Sequence, residues 1–191
     1  MLKKYVSYLL CTLVISCTFY VNEENSSVNV PLFYSDKEEI ILRTECDYDK
    51  FKKITICKSP IFKNTIKSNS EQKLQYSGNQ NISMFYRIIK NNSNILPQLY
   101  FIYNSDNWAF FRDAYDENGN KLNFVEINGG DDVITGRYTV RVQEQFALNV
   151  DDKFIKKYEK TGVEIKFVGI KRDRIFYVHP AILRALKEQL K

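Results

Sequence analysis

The sequence predicts an α+β fold, a curved antiparallel sheet or β-meander with one or two helices packed at its C-terminal end. Three observations carry that expectation. Phe and Tyr each occur 13 times in 191 residues, and aromatic side chains favour the half-buried pleated surface of a strand. Between Ile82 and Leu148, short apolar and aromatic runs alternate with clusters of Asn, Asp, Ser and Gly, the signature of strands joined by turns. Helical spacing of apolar residues is concentrated after Asp151. A chain that is 44% hydrophobic can build a genuine core, and its length suits one domain with appendages.

The first elements lie in residues 37–45 and 51–59, two segments rich in β-branched side chains. Ile40-Ile41-Leu42 and Ile54-Thr55-Ile56 flank the polar stretch Cys46-Asp47-Tyr48-Asp49-Lys50, so a hairpin or strand-loop-strand is expected. Cys46 and Cys57 fall one on each arm. In an oxidising compartment they are expected to form a disulfide, which would restrict the unfolded chain by roughly 2–3 kcal/mol. The alternative is a pair of free thiols; without histidines nearby, the two make a poor zinc site. Residues 63–81, dense in Asn, Ser, Gln and Lys without a sustained period, read as a long surface loop.

From Ile82 the runs Met84 to Ile89, Leu99 to Tyr103 and Trp108 to Phe111 read as strands, separated by Asn91 to Asn94 and Asn104 to Asn107. Leu122 to Ile127 alternates as another strand. Gly129-Gly130-Asp131-Asp132 is a turn, and Gly136 to Leu148 supplies one long or two short strands. Asp151 to Thr161 places Phe154, Ile155 and Tyr158 on one helical face, with acids at the start and Gly162 at the stop. Val163 to Val168 and Arg174 to Val178 form a hairpin. Pro180 opens a last helix, with Ile182, Leu183, Leu186 and Leu190 facing inward.

The N-terminus is of another kind. Lys3 and Lys4 precede twelve uncharged, mostly apolar residues, Tyr5 to Ser16, as in the n- and h-regions of a secretory signal. That stretch is shorter than the roughly 20 residues a spanning helix needs. Leu13-Val14-Ile15-Ser16-Cys17 resembles the lipobox of bacterial lipoproteins, which implies diacylglycerol on the Cys17 thiol and cleavage before it. Acyl chains on Cys17 would hold the protein to a membrane, each buried methylene adding about 0.8 kcal/mol. Thr18, where Asp would retain an enteric lipoprotein at the inner membrane, favours the outer one. The alternative is an ordinary cleaved signal with an incidental Cys17. Residues 1–16 thus read as a lipoprotein signal peptide, 17–35 as a flexible tether with Pro31, and 36–191 as a single α+β domain.

Charge excludes some partners. Loss of Lys3 and Lys4 leaves 26 basic side chains against 23 acidic, a net +3, and no Arg-rich face is evident, so nucleic acid is not expected. Lys153 to Lys160 reads as the solvated side of the helix. No G-x-S-x-G, H-E-x-x-H, Walker or G-x-G-x-x-G pattern occurs, and no catalytic residue, cofactor or metal is assigned. The single histidine, His179, precedes Pro180 and reads as a helix cap. Asp113 to Asn120 resembles a calcium loop, but with Gly119 at the sixth position Ala114 and Val125 occupy carboxylate positions. A tight turn at Asn118-Gly119 explains the residues without metal. Tyr100, Tyr103, Trp108 and Tyr115, on neighbouring predicted strands, could form an aromatic platform for sugar or protein; the alternative places their rings in the core. Glu126, Asp131 and Asp132 cluster near one turn.

The stretch Trp108-Ala109-Phe110-Phe111-Arg112-Asp113-Ala114-Tyr115-Asp116-Glu117-Asn118-Gly119-Asn120-Lys121-Leu122, a W-x-F-F-x-x-A-x-D-x-x-G-x-x-L pattern, resembles one in small lipoproteins of gammaproteobacteria. Cys46-Asp47-Tyr48-Asp49-Lys50-Phe51 and the helix–strand–strand ending after Asp151 extend the resemblance over roughly residues 45–190. It implies export and a common fold, and brings no activity or functional residues with it.

These readings lead to an exported, lipid-anchored, non-enzymatic envelope protein that engages a periplasmic or outer-membrane partner. A carbohydrate- or peptidoglycan-directed protein using Asp113, Asp116 or Asp131 beside an aromatic groove is the second expectation, and a purely structural surface module the third. Mass spectrometry of the mature N-terminus is expected to find Cys17 acylated and residues 1–16 absent. A native chain retaining Met1 would contradict that.

Overall fold

The computed structural model describes residues 34–67, 74–76, 82–92, 94–127, 132–135 and 140–191. Its first element corrects the sequence reading. Lys37–Leu42 is a helix, α1, rather than a strand. The Asp36 side chain accepts from the Glu38 and Glu39 amides at 2.9 and 3.3 Å, and Glu38 and Glu39 complement the positive end of the helix. That cap, with burial of Ile40, outweighs the β preference of Ile40 and Ile41. Tyr34, assigned to the tether, is already part of the core and packs edge-on against Phe62.

The hairpin therefore starts later than expected. Glu45–Asp49 (β1) pairs with Ile54–Lys58 (β2), so the polar stretch read as a loop is itself a strand. Cys46 and Cys57 are directly opposite in register and form the expected disulfide. Asp49 organises the turn by accepting from the amides of Phe51 and Lys52. Phe62–Lys63 (β3) at the start of the segment read as a loop, and Thr65–Lys67 (β4) and Leu74–Tyr76 (β5) within it, are short strands. Asn64 ties this region inward: its Nδ2 donates to the Ile175 carbonyl at 2.8 Å and its Oδ1 accepts from the Tyr177 amide at 3.3 Å.

Ile82–Asn91 (β6) and Asn94–Ser105 (β7) are long paired strands at the centre of the larger sheet. Phe111–Asp116 (β8), Asn123–Glu126 (β9), Asp132–Thr135 (β10) and Val140–Asn149 (β11) follow. The larger sheet runs β1-β2-β6-β7-β11-β10, with β3 against β6 and β9 against β11. The expected continuous meander is interrupted by β8, which instead pairs with Val163–Gly169 (β12), itself paired with Arg174–Val178 (β13). Trp108 to Phe110 precede β8 as irregular chain; only Phe111 of that run is in a strand. The turn residues 129–131 lie outside the described residues.

The two sheets meet through aromatic rings. Phe101 of β7 contacts Phe146 of β11, Phe167 of β12 and Phe176 of β13 at centroid distances of 5.6, 4.6 and 5.4 Å. Alternate residues point into this core, Ile82, Met84, Tyr86 and Ile88 on β6 and Val163, Ile165 and Phe167 on β12. Asp152–Tyr158 (α2) and Pro180–Gln189 (α3) close one end with Ile155, Tyr158, Ile182, Leu183 and Leu186. Their caps are Asp151, which the sequence reading places inside the helix as one of its opening acids, and His179, expected as a cap. The fold is thus α+β, mostly antiparallel, with a third helix ahead of the sheet.

Asp116 fastens β8 to α2. Its side chain is 2% exposed. It accepts from the Asn118 and Asn120 amides at 2.9 and 2.8 Å, from Asn120 Nδ2 and Lys157 Nζ, and from the Tyr158 hydroxyl. Gly119, at φ +79, completes the tight turn expected at Asn118-Gly119, its amide donating to the Asp116 carbonyl at 2.9 Å. Replacing Asp116 with Ala takes the acceptor from the buried Tyr158 hydroxyl and from the Asn118–Asn120 turn, and urea denaturation is expected to find a loss of about 2–3 kcal/mol. A loss under 1 kcal/mol would mean the turn and α2 hold without it.

Candidate functional site

The structure distributes the sequence-predicted residues. Tyr103 is fully buried, and Tyr100 lies on the opposite face of β7, stacked on Phe85 at 4.8 Å with Arg87 over its ring. Trp108 is half-buried in the loop before β8, and Tyr115 sits in the smaller sheet. The four rings do not share one surface, because β8 does not pair with β7. Asp113 is ion-paired with Lys121; three residues from Asp116 on one strand, it points the other way. Glu126 is exposed. Cys17 and Asp131 lie outside the described residues. Asp132 opens β10.

One segment is held against its intrinsic preference. Phe110 has φ +56, a left-handed conformation that costs a bulky aromatic residue roughly 1–3 kcal/mol. Four hydrogen bonds and one close backbone approach impose it. The buried Glu144 carboxylate, on the inward face of β11, accepts from the amides on both sides, those of Ala109 and Phe111. The Ala109 and Phe110 carbonyls accept from the Lys171 and Ile170 amides at 3.1 Å. Gly169 allows that approach, since a Cβ there would lie 2.5 Å from the Ala109 carbonyl oxygen.

The outcome is an aromatic pair at the surface. Phe110 is 40% exposed, the Trp108 ring stacks beside it at 5.9 Å, and Lys171 Nζ lies 5.4 Å from its centroid. Ile170 is exposed next to them. Beneath Phe110 opens a cleft of about 510 Å³ lined by Arg112, Phe124, Glu126, Glu144 and Gln145 among others, large enough for a small ligand or a side chain. Trp108 was singled out in the sequence; Phe110, Glu144 and Gly169 were not. Glu144 had a legible signal, since it interrupts an apolar phase of Val142, Phe146 and Leu148.

A second concavity of about 670 Å³ lies near the β6–β7 turn, between Ile95, Leu96, Leu122, Phe154 and Leu190, with Asp151 and Asp152 on its rim. Among the described residues, no cluster of three His, Cys, Asp or Glu could hold a metal, and no helix is long and apolar enough to cross a membrane. Comparisons of the chain with protein-family models, with curated proteins and with solved structures find no match.

The titratable groups with the largest displacements have structural partners. Burial alone would raise the Asp116 carboxyl, but hydrogen bonds from Tyr158, Asn120 and Lys157 outweigh it and hold it far below the usual carboxylate range. His179 accepts from the Ala181 amide through Nδ1 at 3.2 Å. Burial first, and the Arg184 charge second, push its pKa down to about 4 from an ordinary 6.5. The folded state therefore resists a proton that the unfolded chain takes up, so this contribution is complete above pH 6.5 and fades as pH falls through 4. Its size is on the order of 2 kcal/mol. Urea midpoints are expected to fall between pH 7 and 4.5 in the wild type and to fall less in His179→Asn, which keeps a cap but does not titrate. Equal pH slopes would rule the histidine out as the cause.

Proposed function

We propose that the protein is an exported, non-enzymatic binding module of the cell envelope, anchored through lipid on Cys17 at the outer membrane, and that its contact surface is the Trp108–Phe110 loop with the cleft below. The observation that carries this reading is the left-handed Phe110. Strained backbone persists where the surroundings over-determine it, and here they turn an aromatic ring outward beside Trp108. Aromatic anchors beside a pocket are the usual source of binding energy at protein interfaces. The commitment of Asp116 and His179 to hydrogen bonds within the fold supports binding over catalysis. The Cys46–Cys57 disulfide supports an oxidising compartment.

A glycan is the second reading, favoured by the Trp108–Phe110 pair standing over a cleft that contains Glu126, Gln145 and Arg112. Flat rings suit the CH faces of a sugar, and the polar groups suit its hydroxyls.

A photo-reactive side chain at position 110 separates these readings in intact cells. Cross-links to one recurrent envelope protein are expected, absent from a probe at the exposed Glu164 and reduced about 30-fold by Trp108→Ala. Sedimentation with isolated peptidoglycan, abolished by Trp108→Ala, would transfer the site to the glycan reading. Equal cross-linking at 110 and 164 would discard the loop as the contact.

A further inference from the structure

We propose that the tip of the β1–β2 hairpin is a membrane-contact element, which seats Phe51 among the headgroups of a bilayer rich in anionic lipid. Phe51 is 87% exposed, the most exposed large hydrophobic side chain among the described residues, and Tyr48 nearby is 64% exposed. Lys50, Lys52 and Lys53 surround it on the turn and are exposed, Lys50 Nζ lying 5.1 Å from the Phe51 centroid.

Charge is sorted along the hairpin. Glu45 and Asp47 lie toward its base with Lys58 opposite Glu45, and Asp49 turns back to accept the Phe51 and Lys52 amides. The lysines alone crown the tip. The Cys46–Cys57 bond ties the two strands below the turn, so presenting the ring loses little conformational freedom on contact.

A single ring ringed by flexible cations suits a fluid anionic surface better than a folded partner. A stable protein interface needs roughly 800 Å² from each side, and no apolar neighbour on the turn widens this contact. Its place in the chain agrees. Only Arg43 and Thr44 separate α1 from β1, so the hairpin lies close along the chain to Tyr34, the first described residue. If Cys17 carries lipid, as proposed above, the chain from it to Tyr34 can span at most about 55–60 Å. A weak contact at the hairpin then becomes intramolecular and is strengthened by effective concentration. The contact itself does not depend on that anchor.

The test uses the mature chain proposed above, residues 17–191, carrying Cys17→Ser so that neither the signal segment nor an acyl chain contributes, with Trp108→Phe and Phe51→Trp making position 51 the only indole. Its emission is followed with vesicles of equal phosphatidylglycerol and phosphatidylcholine, and with phosphatidylcholine alone. A blue shift and quenching by brominated acyl chains are expected on the anionic vesicles only. Each lysine near such a surface raises partitioning about fivefold, so changing Lys50, Lys52 and Lys53 to Gln is expected to weaken it roughly 100-fold. An unshifted emission on anionic vesicles, an equal shift on neutral ones, or a shift indifferent to the lysines overturns the proposal. None of these outcomes bears on cross-linking at position 110, so the two readings fail separately.

Discussion

A carboxylate withdrawn from water must be supplied with hydrogen bonds or it unfolds its surroundings, and this chain places one at each end of the same strand. Glu144 grips the backbone entering β8 through the Ala109 and Phe111 amides, and Asp116 organises the backbone leaving it. The clamps reach different parts of the molecule. Glu144 belongs to β11 in the larger sheet, whereas Asp116 reaches across to Tyr158 and Lys157 on α2. β8 is consequently the strand through which both sheets and the helical end are referenced to one another.

That arrangement explains how an otherwise ordinary interior supports an unusual surface. Phe101, Phe146, Phe167 and Phe176 fill the space between the sheets, and removing any one ring from such a core typically costs about 3–5 kcal/mol. Against that background the strain at Phe110 is small, and the core can sustain it. Tyr86 also has its polar end satisfied inside, its hydroxyl 2.7 Å from Thr44 Oγ1. The loop at 106–110 is therefore shaped from beneath, by Glu144 and by the backbone at Gly169 to Lys171, rather than by contacts among its own side chains.

Local chemistry was readable in the sequence, and partner choice was not. The helix start marked by Asp151 and Asp152, the cap at His179, the Asn118-Gly119 turn, the C-terminal hairpin and the pairing of Cys46 with Cys57 all rest on a few neighbouring residues. The helix at Lys37–Leu42 is obscured in the sequence because the β preference of Ile40-Ile41 competes with the cap signal of Asp36, Glu38 and Glu39. The course of β8 could not be read at all. Phe111 to Asp116 alternates like any other strand, and nothing in its residues says which sheet will take it. The aromatic platform failed for the same reason. Period 2 tells which side chains share a face within a strand, and Tyr100 and Tyr115 turned out to belong to different sheets.

One edge strand of the larger sheet, β1, has its own logic. In β1, Glu45, Asp47 and Asp49 alternate, so they share one side of the pleat. A second copy docking antiparallel about Asp47 would set Glu45 opposite Asp49 and Asp47 opposite itself, each a like-charge confrontation. An open row of backbone donors and acceptors would otherwise invite another chain to add on. The acids make that addition unfavourable at this edge, a boundary written in charge.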